Sequence, residues 1–308
     1  MEESTPTPIS ALLERLAVTG DQASSTLASW GIKTVGDSRL AQASAFLREV
    51  AATGTIQPTM DAVLPVLRAI WVAADFADIA GYLPENRVKS VRQELSVAIN
   101  GPLWPPPGQR QALQYQTQHW IGAVLFHAGL EIEHIPFSAK RQVKIPEFWI
   151  AAGLRPIGVE VKRPESVARL PVTVADAMEK FRNHACYGAI VLELSDCLTP
   201  GPEASLRGQG NSLMETVHQT VWDDPGNRYK PGFEKLIYVG GIVRGAWERP
   251  AEHSNRLRFF GHAFHQGYSP DPNSLQGIRS RWLQDFMNKA FSDVVWRMND
   301  PTIARPIA

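Results

Sequence analysis

The stretch 143–164, VKIPEFWIAAGLRPIGVEVKRP, decides how this chain is read. Two short apolar runs flank a turn that contains Gly153 and Pro156. The first run carries Pro146-Glu147, the second Glu160-Val161-Lys162. Folded back as a hairpin, the two runs place Glu147 near Glu160, and alternation turns Glu160 and Lys162 to one face. Two carboxylates held that close repel unless a cation separates them, and hard oxygen ligands suit Mg²⁺ or Mn²⁺. A lysine beside such a metal orients or deprotonates water, or neutralises charge developing on a phosphate. Those are the parts needed for phosphodiester hydrolysis.

The flanking sequence supplies a frame for the hairpin. Residues 109–128 read as a helix, with Leu113, Trp120, Ile121, Val124 and Leu125 at three- and four-residue spacing and Gly129 as a stop signal. LEIEHIPF (130–137) alternates as a strand. VTVADAMEKFRNHA (172–185) reads as a second helix, and YGAIVLELS (187–195) as a buried strand after it. Taken alone, a Pro-Glu pair is an edge device and Glu160 with Lys162 is a pair on a solvated strand. The apolar neighbours of Glu160 make that strand a buried one, where charges call for partners.

Pro146-Glu147 followed thirteen positions later by Glu160-Val161-Lys162 resembles the PD-(D/E)xK nuclease superfamily, which includes restriction endonucleases and Holliday-junction resolvases. The resemblance implies an α/β fold with a restriction-endonuclease-like α-β-β-β-α-β core and a mixed sheet, here preceded by an all-helical N-terminal region. It implies Mg²⁺ (or Mn²⁺) held by Glu147, Glu160 and the Val161 carbonyl, with Lys162 catalytic. Two positions depart from the family pattern. Glu147 stands where Asp is usual, and Gln118, counted back from Gly129, stands where the first helix often carries Glu. A Gln amide coordinates a metal without adding charge. The expected activity is therefore a metal-dependent nuclease acting on DNA, in a bacterial, phage-defence or repair setting. The alternative that the two departures raise is a weakened nuclease-fold module that binds nucleic acid or a protein without cutting.

Charge is distributed to match. The 308 residues are neutral overall, but residues 1–108 hold 8 Lys and Arg against 11 Asp and Glu, and residues 109–308 hold 23 against 20. Within 137–182 there are 9 basic residues and 5 acidic ones. Lys144, Arg163, Lys180 and Arg182 are thus candidates for phosphate contact.

GPLWPPPG (101–108) cannot be helix and marks a boundary. Before it, helical periodicity dominates, with no zinc ligands and no basic recognition helix. The expected division is a helical unit over 1–100, suited to partner binding or dimerisation, and a nuclease-like unit over 109–308 that ends in an amphipathic helix. The two are expected to separate as folding units. With 44% hydrophobic and 20% charged residues the composition is ordinary for a globular protein. No run reaches the ~18 apolar residues of a membrane span. The acidic N-terminus lacks a secretory pattern, and Cys186 and Cys197 make neither a disulfide framework nor a zinc site. A cytoplasmic location is expected. No phosphate-binding loop, dinucleotide fingerprint or nucleophile elbow is present.

Overall fold

A computed structural model of the chain describes residues 8–53, 60–106, 109–135, 145–151, 156–198, 203–223, 233–248, 257–267, 271 and 273–299. Lys144 lies outside them. The four N-terminal helices are α1 (Pro8–Ser29), α2 (Arg39–Thr53), α3 (Met60–Tyr82) and α4 (Glu85–Asn100). Then come α5 (Gln111–His127), β1 (Ile132–His134), β2 (Phe148–Ile150), β3 (Ile157–Lys162), α6 (Leu170–Asn183) and β4 (Tyr187–Glu193). The chain continues through α7 (Glu203–His218), β5 (Leu236–Glu248), β6 (Leu257–Gly267) and α8 (Leu275–Asn299). No described helix is long and apolar enough to cross a membrane.

The six strands form one mixed sheet in chain order. β1, β2 and β3 are antiparallel, β3, β4 and β5 parallel, and β6 returns antiparallel to β5. Each parallel step needs a crossover, which α6 and α7 supply. β3 and β4 lie inside the sheet and are buried along nearly their whole length. That explains their continuous apolar runs. The ladder irregularity between β4 and β5 falls opposite Gly188/Ala189. Gly240 leaves room for the Tyr238 ring, which a side chain there would strike.

Two cores sit on opposite faces of the sheet. One, under α6 and α7, collects Leu170, Val174, Met178, Phe181, Ile190 and Leu192. The other runs from Val159 and Val161 of β3 through Trp120 and Ile121 of α5 into Phe76, Leu40 and Leu13 of the N-terminal helices. α8 docks on β5 and β6 of its own sheet through Leu283, Met287 and Phe291.

α5 is the pivot of this arrangement. Gly129 at φ +99° ends it, with the Gly129 N–H donating to Phe126 O and the Leu130 N–H to Leu125 O. Eleven consecutive positions would show one apolar stripe on a surface helix, yet α5 is buried on all sides from Tyr115 to Leu125. The sheet covers one side and α3 and α4 cover the other. Its polar residues therefore need internal partners. Gln116 donates to Asp75 at 2.7 Å, Trp120 Nε1 donates to Asp78 at 3.0 Å, and His119 meets Glu94 at 3.0 Å.

The proline-rich boundary is thus one of composition and secondary structure, while the hydrophobic core crosses it. This differs from the separable units expected above, because the sequence shows α5's polar residues without showing that helices cover them. A chain starting at residue 109 would expose the α3 and α4 side of α5 and orphan Gln116, His119 and Trp120. Residues 109–308 expressed alone are expected to be insoluble or to lack a cooperative melt, measured by circular dichroism against the full chain.

A chain of buried charges reinforces the joint. Arg244 on β5 reaches Asp75 on α3 at 2.5 Å, and its guanidinium lies 4.2 Å from the Trp120 ring centroid and 5.1 Å from that of Trp71. Arg163 contacts Glu193 at 2.9 Å and Asp196 at 2.6 Å, and Arg110 also pairs with Asp196. Burial acts to raise the Asp196 carboxyl, but Arg163 and Arg110 outweigh it and hold it down at about 2. A depressed carboxylate stabilises the fold above its unfolded value near 4, and that contribution is lost as pH falls through about 2. Asp196→Asn is expected to cost ~2 kcal/mol at pH 7. In urea melts the gap to wild type should narrow as pH falls from about 4 towards about 2; a gap constant with pH would sink the assignment.

Candidate active site

The hairpin of the opening stretch forms as β2 and β3, with Phe148 opposite Val159 and Trp149 opposite Gly158. Just before β2, the Glu147 N–H donates to Val159 O at 2.9 Å, which holds Glu147 against β3. Along β3, Val159 and Val161 enter the core shared with α5, so Glu160 and Lys162 face the other way, towards α6.

Four charged side chains meet there. Lys162 Nζ is 2.5 Å from Glu160 Oε1 and 3.8 Å from Glu147 Oε1. Lys180 Nζ, from α6, is 2.5 Å from the same Glu160 oxygen and 3.7 Å from the same Glu147 oxygen. Both ammoniums therefore bridge both carboxylates. Glu160 is fully buried and Glu147 nearly so, while Lys162 and Lys180 keep part of their surface in solvent. The second oxygen of Glu160, Oε2, is buried with no hydrogen-bond partner.

Burial pushes the Glu160 carboxyl up from its ordinary value, against the pull of Lys162. For Lys162 burial acts the other way, lowering it, but Glu160 and Glu147 prevail and hold it above the usual lysine value. Lys162 is therefore a firm cation at neutral pH. It can donate hydrogen bonds and offset negative charge.

The helix position read from sequence falls one turn away. Gln114, not Gln118, reaches β3: its Nε2 donates to Val161 O at 2.7 Å, and its Oε1 accepts from the Arg163 N–H at 3.1 Å. Gln118 is buried one turn further on, with its Oε1 unpartnered. Among the described residues, no hydrogen bond or ion pair joins it to the four-charge cluster. Residues four apart share a helix face, so counting back from Gly129 identifies the face and leaves the turn undetermined. The Val161 carbonyl, expected as a metal ligand, accepts from Gln114 and retains a second lone pair.

The proposed phosphate contacts divide. Lys180 points into the cluster. Arg163 points to the opposite face and pairs with Glu193 and Asp196 in the interior, so it is not offered to a nucleic acid. Arg182 is on the surface, 4.0 Å from Glu179. Helical periodicity shows the apolar face of α6 but not what a long side chain at its margin reaches, so the sequence offers Lys180 as a candidate for phosphate contact without its carboxylate partners.

A divalent cation fits this set by donor chemistry. Hard oxygens are present on Glu147, Glu160 and Val161, and one buried carboxylate oxygen lacks a partner. Against that, two ammoniums already balance the two carboxylates, and the described residues contain no group of three or more His, Cys, Asp or Glu side chains that could hold a metal. Neither a family model, nor a curated protein, nor a solved structure matches the chain.

Proposed function

We propose that the protein is a metal-dependent phosphodiesterase of the PD-(D/E)xK nuclease type, acting on DNA. The observation that carries the reading is the Glu147–Glu160 pair bridged by Lys162 at a strand end, with Glu160 Oε2 left unpartnered in the interior. The order α5-β1-β2-β3-α6-β4 supports it, since it is the core order the resemblance implies.

Glu147, Glu160 and the Val161 carbonyl would hold Mg²⁺ or Mn²⁺, which acidifies a bound water and polarises a phosphate oxygen. The remaining work belongs to the side chains. Lys162, kept cationic by its two carboxylates, donates to the attacking water or to the phosphate oxygens and offsets charge in the transition state. Lys180 is a second ammonium at the same oxygen. An incoming phosphate offers both lysines an anionic partner and draws them from the carboxylates.

Incubation of plasmid and of single- and double-stranded oligonucleotides with Mg²⁺, Mn²⁺ or EDTA is the direct test. Cleavage that needs the metal is expected. Lys162→Met is expected to lower the rate by about two orders of magnitude or more with little change in melting temperature. Wild-type cleavage by that variant would remove Lys162 from the chemistry.

The internal neutrality of the cluster favours a second reading, a nuclease-fold module that binds nucleic acid without cutting. Retarded DNA in a gel, with no cleavage in either metal and no heat of Mn²⁺ binding, would establish it in place of the first.

A further inference from the structure

The interior charge network on the α5 face of the sheet has a surplus of arginine. Each of its three carboxylates contacts a guanidinium: Asp75 with Arg244, Glu193 with Arg163, and Asp196 with Arg163 and Arg110. Arg39, at the start of α2, and Arg68, on α3, make no ion pair or hydrogen bond among the described residues. Arg39 is only 1% exposed, and its Nε and Nη1 are buried with no partner. Arg163 and Arg68 lie close enough for their charges to press on Arg39, while Asp75 and Asp196 act on it in the opposite sense. Arg68, in turn, feels Arg163, Arg110 and Asp196. Burial, with Arg163 behind it, outweighs Asp75 and Asp196 and lowers Arg39 to about 9.

A buried guanidinium that makes no direct ion pair is unfavourable. Hydrophobic packing does not explain its presence, because an apolar side chain of similar length would fill the space without the charge. A bound anion would supply both the charge and the acceptors. Arg68 and Arg110 are partly exposed.

We propose that Arg39 and Arg68, backed by Arg163, form a binding site for a phosphate dianion, either inorganic phosphate or the terminal phosphate of a nucleotide, between the N-terminal helices and the end of β3. Two unpaired guanidiniums match two negative charges, and planar N–H forks suit phosphate oxygens. The site is separate from the carboxylate–lysine cluster. Arg163 and Lys162 are adjacent in sequence, and their side chains leave β3 on opposite faces. The inference therefore does not depend on the nuclease reading.

Thermal melting of the full chain tests it, with inorganic phosphate, a nucleoside 5′-monophosphate, or chloride at matched ionic strength. Phosphate is expected to raise Tm in a saturable way, by about 4 °C at a hundredfold excess over Kd. A larger or lower-concentration response to the monophosphate identifies a nucleotide as the ligand, and an equal or weaker one identifies free phosphate. Arg39→Met should abolish the increment. If that variant does not fold, Arg68→Met, altered at a half-buried position, should reduce it at least tenfold in apparent affinity. An increment that chloride reproduces, or that Arg68→Met leaves intact, overturns the site. So does an Arg39→Met protein more stable than wild type at every phosphate concentration.

Discussion

Glu160→Gln is expected to eliminate Mn²⁺ binding and to reduce metal-dependent cleavage by about three orders of magnitude or more. The substitution is nearly isosteric and keeps an oxygen beside Lys162 and Lys180, so the strand should stay in place. What it removes is the one fully buried carboxylate of the cluster, the group that both ammoniums approach most closely. Its unpartnered oxygen is also the donor best placed to accept a cation. Calorimetric titration of Mn²⁺ into both proteins, beside a cleavage assay, separates the outcomes. Lost binding together with lost cleavage supports the active site. Unchanged cleavage would remove Glu160 from the chemistry, and with it the proposed function. A large fall in melting temperature without any metal effect would make the four charges a structural cluster.

The second large effect concerns the fold. Arg244→Met is expected to destabilise the protein by about 3–5 kcal/mol, because it leaves Asp75 buried without its direct ion-pair partner. Asp75 is 1% exposed, and burial already pushes its carboxyl up despite Arg244. Arg244 also stacks on Trp71 and Trp120, so it joins β5, α3 and α5 at one point. The double substitution Asp75→Leu/Arg244→Met removes both charges and should recover much of the loss. Chemical denaturation of the two singles and the double gives the coupling directly. Additive effects would mean that Arg244 acts through its ring contacts and not through Asp75.

Sequence alone determined the features that depend on short-range periodicity. Strand alternation put Glu160 and Lys162 on one face, and the turn signal between the two apolar runs predicted the hairpin that brings Glu147 near them. Helical spacing and Gly129 located α5, and the apolar runs of β3 and β4 marked them as interior strands. These signals are local because each is written in residues fewer than about twenty apart. Tertiary structure alone decided which groups arrive from elsewhere. Lys180 joins the cluster from α6, and Gln114 rather than Gln118 reaches the β3 backbone because helix register depends on how α5 seats against β3. Arg163 turns into an interior network whose acids come from α3, β4 and the turn after it. The helical layer shares its core with the sheet because α5 is covered on both sides. Periodicity tells a side chain which way to face; packing between distant segments decides what it meets there, and the charge, hydrogen bonding and burial that follow from that meeting set its chemistry.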